Sequence, residues 1–350
     1  MKILVLNSGS SSIKYKLFDK ETMKEIKSGI KEEVKDHKEG IQRILGKLQE
    51  ENLINDPKEI FCVGHRVVHG GDFFTKATLV DEEVLAKIEI LCELAPLHNP
   101  ANLEGIKAVE ATLGNIPQVI VCDTAFHQTI PNYASFYPLP YEYYEKYHIR
   151  KYGFHGTSHQ FIANEAAKQL GKPLEECNLI TLHLGNGSSA CAIQKGKSID
   201  TSMGFTPLEG LMMGTRCGDI DGSLVYYLEE KLDCTREEIY NILNKKSGFK
   251  GLCGTNDLRE VIRLIDEECD THAKLALDMF IYRVKKYIGS YLMVLGNVDA
   301  IVLTGGIGEN SKLVRDAIYE STDKFDLVHL TITTDEEKSI AIQSKELLEK

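Results

Sequence analysis

The sequence predicts an α/β protein. Strand-like apolar runs alternate with segments of helical periodicity, and a strand–Gly/Ser turn–strand unit occurs twice. At 350 residues the chain exceeds one typical core, so two domains are expected. Lys2–Leu6 reads as a buried strand. The turn Asn7-Ser-Gly-Ser-Ser-Ser follows, and then Ile13, Tyr15 and Leu17 alternate with Lys14 and Lys16 as in a strand with one buried face. Ile41, Ile44, Leu45 and Leu48 recur at helical spacing, as do Val84, Leu85, Ile88 and Leu91 behind an Asp81 N-cap. Gln118–Cys122 is expected to be a strand, Ser158–Gly171 a helix and Leu179–Leu184 another strand. A long amphipathic helix, Ala273–Leu295, should feed a strand at Ala300–Leu303. Thr334-x-x-Glu337 has the form of a capping box that opens a last helix.

The second strand–turn–strand unit is His183-Leu-Gly-Asn-Gly-Ser-Ser. Turns rich in Gly, Ser and Asn allow close backbone approach, and their successive N–H groups can converge on one anion. One such hairpin is an ordinary turn. Two in equivalent contexts suggest a duplicated domain, each copy presenting a phosphate-facing hairpin.

Composition removes several classes of function. Forty-three per cent of residues are hydrophobic and 27% charged, and no apolar stretch approaches the roughly 18 residues needed to cross a bilayer. The run Ile3–Leu6 is too short for a signal-peptide core. Nine cysteines include no C-x-x-C pair, which argues against a disulfide framework or a zinc site and for the cytoplasm. A formal charge of −11 argues against nucleic acid or an anionic membrane as partner. A polyanionic substrate would need local positive groups. Two phosphate motifs fail. Lys195-Gly-Lys-Ser lacks the P-loop glycine because Cys191 stands there, and Gly305-Gly-Ile-Gly-Glu-Asn is not G-x-G-x-x-G.

Dense polar clusters remain: Gly64-His-Arg-Val-Val-His-Gly-Gly, Pro96-Leu-His-Asn-Pro-Ala-Asn, Asp123-Thr-Ala-Phe-His-Gln, Tyr152-Gly-Phe-His-Gly-Thr-Ser-His, Asp200-Thr-Ser-Met-Gly-Phe-Thr-Pro-Leu-Glu-Gly and Gly214-Thr-Arg-Cys-Gly-Asp. Loops packed with Gly, His, Arg and Asp are poor core material. They suit fixed donors around a transferring phosphoryl group. In this order, and over nearly the whole chain, the clusters resemble the acetate kinase family, within the acetate and sugar kinase, Hsp70 and actin superfamily.

The resemblance implies an α/β chain of two duplicated ribonuclease-H-like domains with a nucleotide cleft between them, and a homodimer. It places residues 1–122 with 338–350 in an N-terminal domain and 123–337 in a nucleotide-binding domain. By its motifs, Asn7 and Glu336 would hold Mg²⁺, with Mn²⁺ as the alternative, and Lys14 would reach the ATP phosphates. Arg66 and Arg216 would bind the acyl phosphate, Asp123 would be the active-site carboxylate, and His155 would stabilise the transition state. His183, Leu184, Gly185, Asn186 and Gly187 would form the second phosphate hairpin. Asp257, Leu258 and Arg259, with Gly306, Ile307, Gly308, Glu309 and Asn310, would line the adenosine pocket. Val68, Leu97, Phe154 and Pro207 would hold the acyl methyl; on residue type alone they read as core. His98, His127 and His159 read as structural hydrogen-bonders, and Glu337 as a helix cap.

The implied reaction is reversible phosphoryl transfer between ATP and acetate, giving ADP and acetyl phosphate. Acetate is already ionised at neutral pH and needs no general base, so Asp123 suits a metal or water organiser. The task is neutralisation of charge, to which two arginines, a histidine and a metal are suited. The chain departs from the family by shortening between Ile30 and Ile41 and between Asn310 and Thr333, where a helix and a hairpin are usual. It also carries Asp335 for the usual Asn, and Ile342-Gln343 for an Arg-Asp pair. Alternatives are a propionate or other short-chain acyl kinase, an ATP-driven switch of the actin and Hsp70 type, or a non-catalytic binder of acetyl phosphate. One methylene in a pocket discriminates by only about 1–3 kcal/mol. Val68 narrows the pocket and favours acetate.

Overall fold

The computed structural model describes residues 1–350, which form two compact units. The first comprises Met1–Gln128, Gly156–Phe161 and Asp335–Lys350; the second comprises Thr129–His155 and Ile162–Thr334.

The first unit is built on six strands: β1 Lys2–Ser8, β2 Ser12–Asp19, β3 Glu25–Glu32, β4 Ile60–Val67, β5 Thr78–Leu79 and β6 Gln118–Cys122. Their order is β3-β2-β1-β4-β6-β5. β1 pairs antiparallel with β2, and β2 with β3, whereas β1, β4 and β6 run parallel. Ile3–Leu6 is an unbroken apolar run because β1 is central and covered on both faces. On one face Leu4 and Leu6 pack with Ala108 and Val109 of the helix Asn99–Leu113, and with Ile41, Ile44, Leu45 and Leu48 of the helix His37–Glu50, which Asp36 caps. On the other side Ile340 and Ala341, from the helix Glu336–Leu348, pack with Ile3, Val5, Phe18, Cys62, Val119 and Val121. Gly64 permits this approach: a Cβ there would lie 2.7 Å from the Ile340 side chain. That contact links the glycine opening the first polar cluster to the end of the chain.

The second unit repeats the pattern with β7 Asn178–Leu184, β8 Ser188–Gln194, β9 Lys197–Thr201, β10 Ala300–Thr304 and β11 Val328–Thr331, in the order β9-β8-β7-β10-β11. β7, β8 and β9 are antiparallel neighbours, and β7, β10 and β11 run parallel. Each unit thus has three meandering strands followed by two parallel ones, with the Gly/Ser turn between its first two. The helix Thr271–Leu295 buries Ala276, Leu277, Phe280, Val284, Ile288, Tyr291 and Leu295 against this sheet. No helix is long and apolar enough to cross a membrane.

The expected elements occur, with three differences. The last helix is capped by Asp335, whose side chain accepts from the Lys338 N–H, and not by Thr334 with Glu337; Glu337 lies 3.6 Å from Lys16. The helix expected from Ser158 begins at Gly156, because His155 takes a left-handed conformation (φ 56°) as its N-cap. The shortened stretch after Asn310 retains a helix, Lys312–Thr322, and the single parallel strand β11.

Candidate active site

In the first unit, Arg66 leaves β4 beside Asp123 at the end of β6. Its Nε donates to Asp123 Oδ1 at 2.9 Å and its Nη2 to Oδ2 at 2.8 Å, while Nη1 lies 3.0 Å from Glu336 Oε2. Parallel pairing sets Arg66 against Val121 and Val67 against Cys122, so the two side chains emerge from adjacent strand ends. Burial works against charge on Arg66, but Asp123 and Glu336 hold the guanidinium above its ordinary pKa. Burial raises the Asp123 carboxyl, and Glu336 and Glu337 add to the rise against the opposing Arg66. Lys16 joins the group through Asp335 at 2.9 Å and Glu337 at 3.6 Å.

With Glu25, 3.5 Å from Lys16, five carboxylates face two cations, a negative surplus that suits a divalent cation. No three His, Cys, Asp or Glu side chains converge into a closed metal cage. The residues therefore suit a metal held by one or two protein oxygens and completed by substrate phosphate. Asn7 is half-buried at the end of β1 and pairs across the ladder with the exposed Lys14.

Two asparagines shape this end of the sheet. Asn102 donates to the Ser8 carbonyl at 2.7 Å and accepts from the Val68 N–H at 3.1 Å, tying the first hairpin to the loop after β4. Asn99 accepts from the His69 N–H at 3.0 Å and donates to its carbonyl at 2.9 Å. The Pro96–Asn102 cluster thus holds the His-Arg-Val-Val-His-Gly-Gly loop in place. Its spacing, i and i+3 on one helix face, was the available signal for this role. Val68 is half-buried and Leu97 is 59% exposed.

In the second unit, the turn between β7 and β8 gathers the predicted phosphate residues. His155 stacks on His183 with centroids 4.2 Å apart, and its Nδ1 lies 2.9 Å from Ser189 Oγ. A Cβ on Gly187 would sit 3.5 Å from the His155 ring and 3.7 Å from Arg216 Nη1, so hairpin, imidazole and guanidinium converge. A non-glycine residue at positive φ, as His155 is, costs energy and marks a position fixed by its surroundings. Arg216 donates to the Pro207 carbonyl at 3.1 Å and has no carboxylate partner; burial lowers its pKa. Asn186 is pinned by Asn256 at 3.0 Å and accepts from the Gly214 N–H at 2.9 Å. A Cβ on Gly214 would overlap Asn186 Oδ1, so any side chain there displaces that amide from its bond with Asn256. Sequence reading missed Ser189 and Asn256, whose roles arise only from folding.

The remaining assigned residues are placed as follows. Gly305, at φ 79°, packs on the Leu184 carbonyl, and Gly306 faces open space. Glu309 accepts from the Gly305 N–H and Thr304 Oγ1, and Asn310 donates to the Gly306 carbonyl, so both brace the Gly306–Ile307–Gly308 turn. Asp257 caps the helix Leu258–Glu268 and pairs with the exposed Arg259, while Leu258 is buried in the core. Phe154 is buried and Pro207 half-buried. His127 and His159 are buried edge to face at 5.7 Å.

Duplicated sheets, each with a Gly/Ser hairpin between its first two strands, define the two-domain ribonuclease-H-like class of kinases. Within that class the chain belongs to the acetokinase family, whose model matches residues 25–347. An acetate kinase of Thermoanaerobacter pseudethanolicus is 50% identical, over 99% of this chain and 92% of that one. The crystal structure of Porphyromonas gingivalis acetate kinase superposes with a TM-score of 0.96 at 38% identity, covering 99% of both chains. A propionate kinase from Francisella tularensis gives 0.91 at 40% identity, covering 98% of both.

Proposed function

We propose that this protein is an acetate kinase, catalysing reversible phosphoryl transfer between ATP and acetate by direct in-line displacement. The observation that carries the reading is Arg216, a half-buried guanidinium without a carboxylate partner, beside the hairpin glycine Gly187 and His155. A cation partly withdrawn from water and left unpaired carries a desolvation cost that an incoming anion offsets. Transferring phosphoryl oxygens are such an anion, and Arg presents a planar fork to them. The close, full-length relationship to acetate kinases supports acetate as acceptor.

In this reading residues 123–337 form the nucleotide-binding domain, and 1–122 with 338–350 its counterpart. The β7–β8 hairpin, His183 to Gly187, cradles the ATP phosphates through its N–H groups. Lys14 contributes charge to them, and Asp257–Arg259 and Gly306–Asn310 line the adenosine pocket. His155, oriented by Ser189, donates to the equatorial oxygens as charge builds there. Arg66, held by Asp123, fixes the acyl group beside Val68, Leu97, Phe154 and Pro207. Asn7, Asp123 and Glu336 would hold Mg²⁺ or Mn²⁺, which would supply Lewis-acid neutralisation of the phosphates. Acetate arrives ionised, so no residue need act as a base. A homodimer in the cytoplasm, with neither nucleic acid nor membrane as partner, completes the proposal.

The test is ADP formation from Mg·ATP with acetate, propionate, butyrate or no acid, for the wild type and Arg216→Ala. Turnover highest with acetate, and lowered at least about 10²-fold by Arg216→Ala, is expected. Propionate as the preferred acid would move the assignment to the propionate kinases. ADP release independent of any acid would refute the reading.

A further inference from the structure

We infer that the first unit carries a second anion site, away from the residues assigned to catalysis, which takes a phosphate dianion or a small phosphomonoester. The site is a half-open cavity of about 320 Å³ between β3 and the helix His37–Glu50, lined by Tyr15, Ile30, Lys31, Arg43, Ile44 and Lys47. Two observations point independently to a ligand.

The first is charge. Three cations line the cavity, and only Arg43 has a partner, Glu39. No carboxylate lies within 4.0 Å of the Lys31 or Lys47 ammonium. Nearby, Lys27 and Glu51 neutralise one another at 2.8 Å. A local surplus of two positive charges on a chain of net charge −11 runs against the global balance. The second is Tyr15. Its side chain is 3% exposed and lines the cavity, yet its hydroxyl has no hydrogen-bond partner. Buried hydroxyls are ordinarily paired, and one left without a partner in the wall of a cationic cavity can turn its proton to an anion. Gly29, opposite Tyr15 on β3, makes room for the ring: a Cβ there would lie 2.8 Å from its hydroxyl end. Ile30 and Ile44 add an apolar wall for a short carbon chain.

Thermal unfolding of the full chain, with inorganic phosphate against chloride at matched ionic strength, tests this. It compares the wild type, Tyr15→Phe and the double variant Lys31→Ala/Lys47→Ala. None of these substitutions touches the residues assigned to phosphoryl transfer, so any phosphate effect there is common to all three. The wild type is expected to gain on the order of 2 °C more than either variant at about ten times its dissociation constant. Titration of that gain should show phosphate bound about tenfold more weakly by Tyr15→Phe. Glycerol phosphate in place of phosphate separates the two ligands: a larger gain at equal concentration assigns the monoester, an equal gain the free dianion. An identical phosphate response in all three proteins, or none in the wild type, would overturn the proposal.

Discussion

Replacing Asn102 by alanine tests how the first polar clusters are held together. The side chain is 3% exposed and makes two bonds, to the Ser8 carbonyl at 2.7 Å and from the Val68 N–H at 3.1 Å. Alanine would leave both main-chain groups without that partner. Each buried group so stranded costs about 1–3 kcal/mol. Ser8 is buried but Val68 only half so, and water can partly satisfy the latter. A total near 3 kcal/mol follows. With an unfolding entropy of about 2.1 cal/mol/K per residue, a chain of this length should lose roughly 4 °C in melting temperature. Asn102→Asp keeps an acceptor for Val68 but turns a carboxylate oxygen onto the Ser8 carbonyl, so it should be no better than alanine. Calorimetry gives the melting temperature, and amide exchange of Ser8–Ser12 reports whether the hairpin loosens first. A melting temperature within 1 °C of wild type for Asn102→Ala, or an unperturbed Asn102→Asp, would refute the clamp.

Three further outcomes follow from the geometry. Burial lowers His65 and His69 to a pKa of about 4, so the fold favours their neutral forms, and the unfolded chain binds more protons between about pH 4 and 6.5. That stability is present above this window and lost as pH falls through it, by about 2 kcal/mol per histidine at pH 5. Urea melts at pH 7.5 and 5 should therefore differ by about 2 kcal/mol less in His65→Gln than in wild type; an equal difference would contradict the assignment. Gly214→Ala places a methyl on Asn186 Oδ1, so the Asn186 amide must swing away and lose its bond from Asn256. It should raise the KM for ATP well beyond any change for acetate, and equal effects on both would sink that role. Glu336→Gln removes one carboxylate beside Arg66 and should raise the Mg²⁺ needed for half-maximal turnover about tenfold; an unchanged metal titration would remove Glu336 from the metal site.

Much of this architecture is legible in the chain itself. Periodicity locates the main strands and helices, because burial of one face or two is written directly into residue order. The repeated Gly/Ser turn signals the duplication, since only a tight, nearly side-chain-free turn can serve both hairpins. The order of the polar clusters identifies the family. Short-range caps are less secure: Asp335 and Thr334 both suit an N-cap, and tertiary charge settles the choice by drawing Asp335 and Glu337 towards Lys16.

What residue order could not fix is which distant groups meet. Arg66, Asp123 and Glu336 lie far apart in sequence and join only because β4 and β6 are parallel neighbours and the last helix returns to that sheet. Arg66 and Arg216 look alike as sequence, an arginine within a cluster. Folding commits the first to carboxylates and leaves the second without one. The same holds for Tyr15, an ordinary inward-facing strand residue until the sheet and helix close a basic cavity around it. Local preference sets secondary structure, but the partner of a buried charge or hydroxyl is chosen by non-local packing, which no window of sequence contains.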